Sequence, residues 1–71
     1  MIRIGIDVGG TFTDLVAVDE SGRSIIAKAA STPADPSIGV IDGLMRLAEL
    51  LETDLVGLFA RTDRIVHGTT V

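Results

Sequence analysis

Ile4-Gly5-Ile6-Asp7-Val8-Gly9-Gly10-Thr11-Phe12-Thr13-Asp14-Leu15-Val16-Ala17-Val18 decides how this chain folds. Two apolar runs flank a tight Gly9-Gly10. The pattern predicts a β-hairpin, because the favoured tight turns need φ > 0 and glycine supplies it without steric penalty. Glycine also lets the backbone come close to a ligand, so that its N–H groups can face phosphate oxygens. Thr11 and Thr13 add hydroxyl donors, and Asp7 ends the first strand. A carboxylate there suits a Mg²⁺ held partly through waters, which would neutralise a phosphate chain. Asp14 follows as a second acid. An ordinary Gly-Gly hairpin with a polar tip is the alternative reading. The two acids and two threonines around the turn favour the phosphate reading.

Outward from this stretch, Ile2, Ile4, Ile6 and Val8 alternate with Arg3, Gly5, Asp7 and Gly9, a period-two strand with one apolar face. Phe12 to Val18 is the return strand, and its Leu15-Val16-Ala17-Val18 run predicts burial on both faces. Asp19-Glu20-Ser21-Gly22 is a polar turn, and Arg23 to Ala30 a third strand. Asp35 reads as an N-cap with Pro36 at the first helical position. The helix then runs over 36 to 51, with Ile38, Ile41, Leu44, Met45, Ala48 and Leu51 as its apolar face and Asp42, Arg46 and Glu49 opposite. Gly39 and Gly43 either permit close approach of a neighbour or are merely tolerated there. Thr53-Asp54 caps a short second helix over Leu55 to Ala60, and Arg64-Ile65-Val66-His67 is a fourth strand. A helix joining strands three and four should be a right-handed crossover onto a parallel neighbour.

His67-Gly68-Thr69-Thr70 follows that strand as a polar loop. Polar residues at a parallel strand's carboxyl end commonly line a ligand crevice. His67 is either a general acid or base near neutral pH or a hydrogen-bonded sheet residue, and its residue type alone favours the second.

The 71 residues bound the answer to one domain or part of one, and a chain this short buries only about 60% of its unfolded surface. Yet 46% of it is hydrophobic, with a mean hydropathy of +0.49, a surplus that means either very efficient packing or packing against something further. Net charge is −4 and the six basic residues are scattered, which argues against nucleic-acid binding. With no cysteine and one histidine, disulfides, thiolate metal sites and histidine-cluster zinc sites are excluded. There is no signal-peptide pattern and no apolar stretch near the ~18 residues of a membrane span, so the chain reads as cytoplasmic with no membrane contact.

Gly5-Ile6-Asp7-Val8-Gly9-Gly10-Thr11 is similar to the first phosphate motif of the actin-like ATPase superfamily, which includes sugar kinases and actin. The longer Asp7-Val8-Gly9-Gly10-Thr11-Phe12-Thr13-Asp14 resembles the N-terminus of the hydantoinase A / 5-oxoprolinase family. Ser31-Thr32-Pro33-Ala34-Asp35-Pro36 and Ile65-Val66-His67-Gly68-Thr69-Thr70-Val71 agree with it, so the resemblance runs the whole length. It implies an α/β fold, a partial actin-like (ribonuclease H-like) domain. In that fold a three-stranded antiparallel meander and a crossover helix lead to a fourth strand parallel to the first, in the order 3-2-1-4.

It further implies ATP and Mg²⁺. Asp7 would be catalytic and hold the metal, Gly9, Gly10, Thr11 and Thr13 would hold phosphates, and His67 would be catalytic. Asp14, Gly68, Thr69 and Thr70 would form a substrate-side loop facing an interdomain cleft. Residues 1–71 are then expected to be an N-terminal fragment of a larger ATPase domain, because an adenine site and a second phosphate loop have no residues here.

The implied parent opens a cyclic amide, a hydantoin or 5-oxoproline, with the rest of its own chain and a hydantoinase B-type partner. The family also includes ATP-using subunits of ketone carboxylases. A sugar or acetate-type kinase is disfavoured by Phe12-Thr13-Asp14 and His67-Gly68-Thr69-Thr70. A different class of reading is a stand-alone module that oligomerises through its apolar surplus. The isolated 71 residues are expected to leave ATP intact and to self-associate through an open edge at Ile65-Val66.

Overall fold

The computed structural model describes residues 1–69. Three strands, β1 (Ile2–Val8), β2 (Phe12–Val18) and β3 (Ser24–Ala30), are followed by helices α1 (Pro36–Leu50) and α2 (Leu55–Arg61) and by β4 (Thr62–Thr69). The sheet order is β3-β2-β1-β4. The first three strands form an antiparallel meander, and β4 lies parallel to β1 on its outer side. This is the architecture expected from the sequence. β4 is longer than expected: Gly68 and Thr69 pair with Asp7 and Val8 and belong to the strand, not to a loop.

Strand alternation sorts the sheet into two unlike faces. Ile2, Ile4, Ile6, Leu15, Ala17, Ala27 and Ala29 are buried on the face that α1 covers. Leu44, Leu47 and Ala48 of α1 and Leu58 of α2 close that core, and Leu47 and Leu58 are fully buried. Burial of each leucine contributes about 1.5–3 kcal/mol. Asp54 starts α2 by accepting the Gly57 amide at 2.8 Å, so a seven-residue helix holds Leu58 in place.

No described residue on the opposite face is buried, and Ile26 and Val66 there are 69% and 61% exposed. Val16 and Val18 are only half-buried, so the Leu15–Val18 run is covered on one face rather than both.

α1 begins as expected. The Asp35 carboxylate accepts the Ser37 amide at 3.2 Å and the Ser37 hydroxyl at 2.6 Å, with Pro36 opening the helix. Its buried face is the expected one only in part: Leu44 and Ala48 are buried and Leu51 packs against the core. The helix docks through Gly39, Gly43, Leu44, Leu47 and Ala48, while Ile38, Ile41 and Met45 remain exposed. The cause is close approach. A Cβ on Gly39 would stand 2.9 Å from the Ala30 carbonyl oxygen, and one on Gly43 would drive into the Leu15 side chain. The two glycines let the backbone of α1 settle on β2 and β3, and this rotates the bulkier stripe outward.

Candidate functional site

The β1–β2 connection spans Gly9, Gly10 and Thr11, closed by the Gly9 amide donating to the Phe12 carbonyl at 3.0 Å. Neither glycine has positive φ, which corrects the reason expected for their presence. A Cβ on Gly9 would meet the Phe12 carbonyl oxygen at 3.1 Å, so the turn is tight there. Gly10 differs. A Cβ there meets nothing within 4 Å, and neither backbone conformation nor packing calls for glycine. The amides of Gly10 and Thr11 have no hydrogen-bond partner among the described residues. The turn thus ends in two exposed residues whose N–H groups are available to a ligand.

The rear of the turn is fixed from a distance. Ser31, just past β3, donates its amide to the Thr11 carbonyl at 2.9 Å and its hydroxyl to the Gly9 carbonyl at 2.7 Å. Thr13 Oγ1 lies 3.1 Å from Ser31 Oγ. The Ser31 proton is engaged with Gly9, so Thr13 is the donor to Ser31. Thr13 is fully buried on the helix-covered face. Its hydroxyl braces the turn from behind and does not join the exposed donors.

The open face carries a polar row beside the turn. Register places Gly68, Asp7, Asp14 and Lys28 side by side across β4, β1, β2 and β3. Carboxylates directly opposite on antiparallel strands repel. Lys28 Nζ offsets this from the far side, 3.5 Å from Asp14 Oδ1 and 4.9 Å from the centre of the Phe12 ring. All of these side chains are exposed, so the ion pair itself contributes little to stability.

His67 is the register mate of Ile6 and so belongs to the helix-side face, opposite Asp7. The two expected catalytic residues do not converge. Thr69 extends β4 beside Val8, and Thr70 lies outside the described residues. Asp7, Asp14, Gly68 and the turn of Gly9, Gly10 and Thr11 do gather at the carboxyl ends of the parallel pair. The sequence showed Ser31 only as the first residue of the Ser31–Pro36 segment and Lys28 only as one of the scattered basic residues, so neither was expected at this turn. Lys28 was within reach, since counting back along the β2–β3 hairpin sets it opposite Asp14, with Asp7 on the next strand.

Residues 3–71 match the hydantoinase/oxoprolinase N-terminal region. The chain belongs to this hydantoinase/oxoprolinase family. Among relatives of this hydantoinase/oxoprolinase chain, caprolactamase subunit alpha of Pseudomonas jessenii is 41% identical over 69 residues, covering 97% of this chain and 10% of the relative. Acetone carboxylase beta subunit of Xanthobacter autotrophicus is 40% identical over 75 residues, covering 90% and 10%. A solved nucleotide-free acetone carboxylase chain, from work on ATP-dependent acetone carboxylation, superposes with a TM-score of 0.88 at 31% identity, covering 97% of this chain and 10% of that one. The fold is therefore a partial actin-like domain, and the chain spans about a tenth of the length of these relatives. Among the described residues no helix is long and apolar enough to cross a membrane.

Proposed function

We propose that this chain is the phosphate-binding N-terminal part of a larger ATP-dependent enzyme that opens a cyclic amide such as a hydantoin, 5-oxoproline or another lactam. One observation carries the reading: Gly10, three residues after Asp7, is a glycine that neither the backbone nor packing among the described residues requires. A site where a ligand must approach the main chain does require it. The Gly10 and Thr11 amides and the Thr11 hydroxyl would take the phosphate oxygens, with Gly9 shaping the turn and Thr13 bracing it.

Among the described residues no three His, Cys, Asp or Glu side chains converge. That suits Mg²⁺, which keeps most of its ligands as water and phosphate oxygen and needs only one or two carboxylates. Asp7, with Asp14 beside it, would hold the ion. ATP, when bound, supplies the phosphoryl group that makes an amide carbon electrophilic to water, so that the ring C–N bond opens and phosphate departs. His67, on the other face, stands outside this arrangement.

A second reading, the ATP-using subunit of a ketone carboxylase, is favoured by the close superposition on the acetone carboxylase chain. Phosphate release by the full-length protein with its partner subunit separates the two. We expect release with ATP, Mg²⁺ and a cyclic amide, and its loss in Asp7→Ala. Release only with a ketone and bicarbonate would select the second reading, and ATP turnover untouched by Asp7→Ala would refute both. The isolated 71 residues, with β4 as an open edge and Val66 exposed on it, should sediment as concentration-dependent oligomers.

A further inference from the structure

We propose that Ser31 is the positioning residue of the phosphate turn, aiming the Gly10 amide at the ligand. The role rests on the phosphate reading given above. A trans peptide unit is planar, with its C=O and N–H pointing in opposite directions. Gly9 O and Gly10 N–H belong to one such unit. The 2.7 Å bond from the Ser31 hydroxyl to Gly9 O therefore also fixes where the Gly10 N–H points, away from Ser31. Without it, a peptide between two glycines has little else to stop it rotating.

Three bonds converge on Ser31: its amide to Thr11 O at 2.9 Å, its hydroxyl to Gly9 O, and the Thr13 hydroxyl to Ser31 Oγ at 3.1 Å. The first two hold the carbonyls of Gly9 and Thr11, the residues on either side of Gly10, and the third holds Ser31 itself. Ser31 is itself anchored on both sides. Ala30 before it pairs with Phe12, and Thr32 after it donates to the Asp35 carbonyl at 2.6 Å and accepts the Gly39 amide at 2.8 Å. The Ser31-Thr32 segment thus straps the turn to the first coil of α1. An amide whose peptide unit is tied to Ser31, and through Thr32 to α1, is held in the geometry that ligand binding needs.

The test uses the full-length protein and reads ATP affinity, melting temperature and amide exchange across residues 9–12. Ser31→Ala is expected to weaken ATP binding about tenfold, because a part-buried carbonyl and a buried hydroxyl both lose their partner. Exchange across the turn should quicken, and the change should appear in KM for ATP more than in kcat. Thr13→Val keeps the Ser31–Gly9 bond and loses only the bond behind it, so it should weaken ATP binding less than Ser31→Ala does. Ser31→Cys, near in size with a weak donor, should fall between and serves where alanine does not fold.

ATP affinity within about twofold of wild type in folded Ser31→Ala overturns the proposal, as does an equal loss in Thr13→Val. A lowered melting temperature with unchanged ATP affinity also overturns it, since that is a structural role alone. Wild type with no ATP affinity refutes the phosphate reading itself. In that event quickened exchange in Ser31→Ala still supports Ser31 as the residue that sets the turn, and unchanged exchange overturns it.

Discussion

The meander has two turns, built in opposite ways. The β2–β3 turn, residues 19–23, is satisfied from within. Asp19 accepts at Oδ1 from the Ser21 amide at 2.9 Å, the Ser21 hydroxyl at 2.7 Å and the Arg23 amide at 3.0 Å. The Gly22 amide donates back to the Asp19 carbonyl at 3.1 Å, and Gly22, at φ 88°, is glycine because the backbone demands it. The β1–β2 turn, residues 9–11, has no such self-sufficiency. Its carbonyls are held by Ser31, from the far end of β3, and its leading amides and Gly10 are left facing outward. The β2–β3 turn closes on itself, whereas the β1–β2 turn is braced from behind and open in front, which is what the phosphate-binding role proposed for it requires.

The largest effect that sharpens this contrast is expected at Gly10. Gly10→Val in the full-length protein should abolish ATP turnover while its melting temperature stays near wild type. The matching change in the other turn, Gly22→Val, should lower the melting temperature and spare ATP turnover in the folded fraction. If the two variants swapped behaviours, the contrast would break.

Next comes Gly43→Ala. The added methyl meets Leu15, and overpacking of this kind costs about 1–3 kcal/mol, set against about 1 kcal/mol of helix propensity gained. Chemical denaturation should show a net loss; a gain in stability would mean that α1 does not sit as close to β2 as described.

Gly22→Ala should cost about 1–2 kcal/mol, since a left-handed conformation disfavours a Cβ by that amount. Gly10→Ala should leave stability within about 0.5 kcal/mol of wild type, as surface changes usually do.

The smallest expected effect is at Asp19. Its hydrogen bonds from Ser21, foremost the hydroxyl, hold the carboxyl below its ordinary range. A depressed folded-state value means that the stabilisation is present above the unfolded value and is lost as pH falls through the folded one. Asp19→Ala should therefore be less stable than wild type at neutral pH, with the gap closing in acid. A gap that widens in acid would contradict the sign.

The strands, both helices and the Asp35 cap were legible in the sequence, because alternation, spacing and capping chemistry are local signals. The orientation of α1 was not. Ile38, Ile41 and Met45 outweigh Gly39 and Gly43 on any hydrophobic count, yet backbone proximity to Leu15 and Ala30 decided which face docked. His67 illustrates a second limit. It sits in a recognisable motif, but its face depends on the β1–β4 register, which the 53 residues between the two strands do not reveal. Of the two reasons the sequence offered for Gly9 and Gly10, positive φ does not apply, while room for a ligand at the backbone fits the open Gly10. Ser31 was hidden because its partners are 18 and 22 positions away and meet it only through the β2–β3 pairing.

Hydrogen exchange of the wild-type full-length protein, with and without Mg²⁺ and ATP, tests most directly whether the two turns differ in purpose. ATP should slow exchange across residues 9–12 and leave residues 19–23 unchanged. Equal protection of both turns, or none across 9–12 under conditions where ATP is turned over, would show that the open turn is not where the phosphates bind.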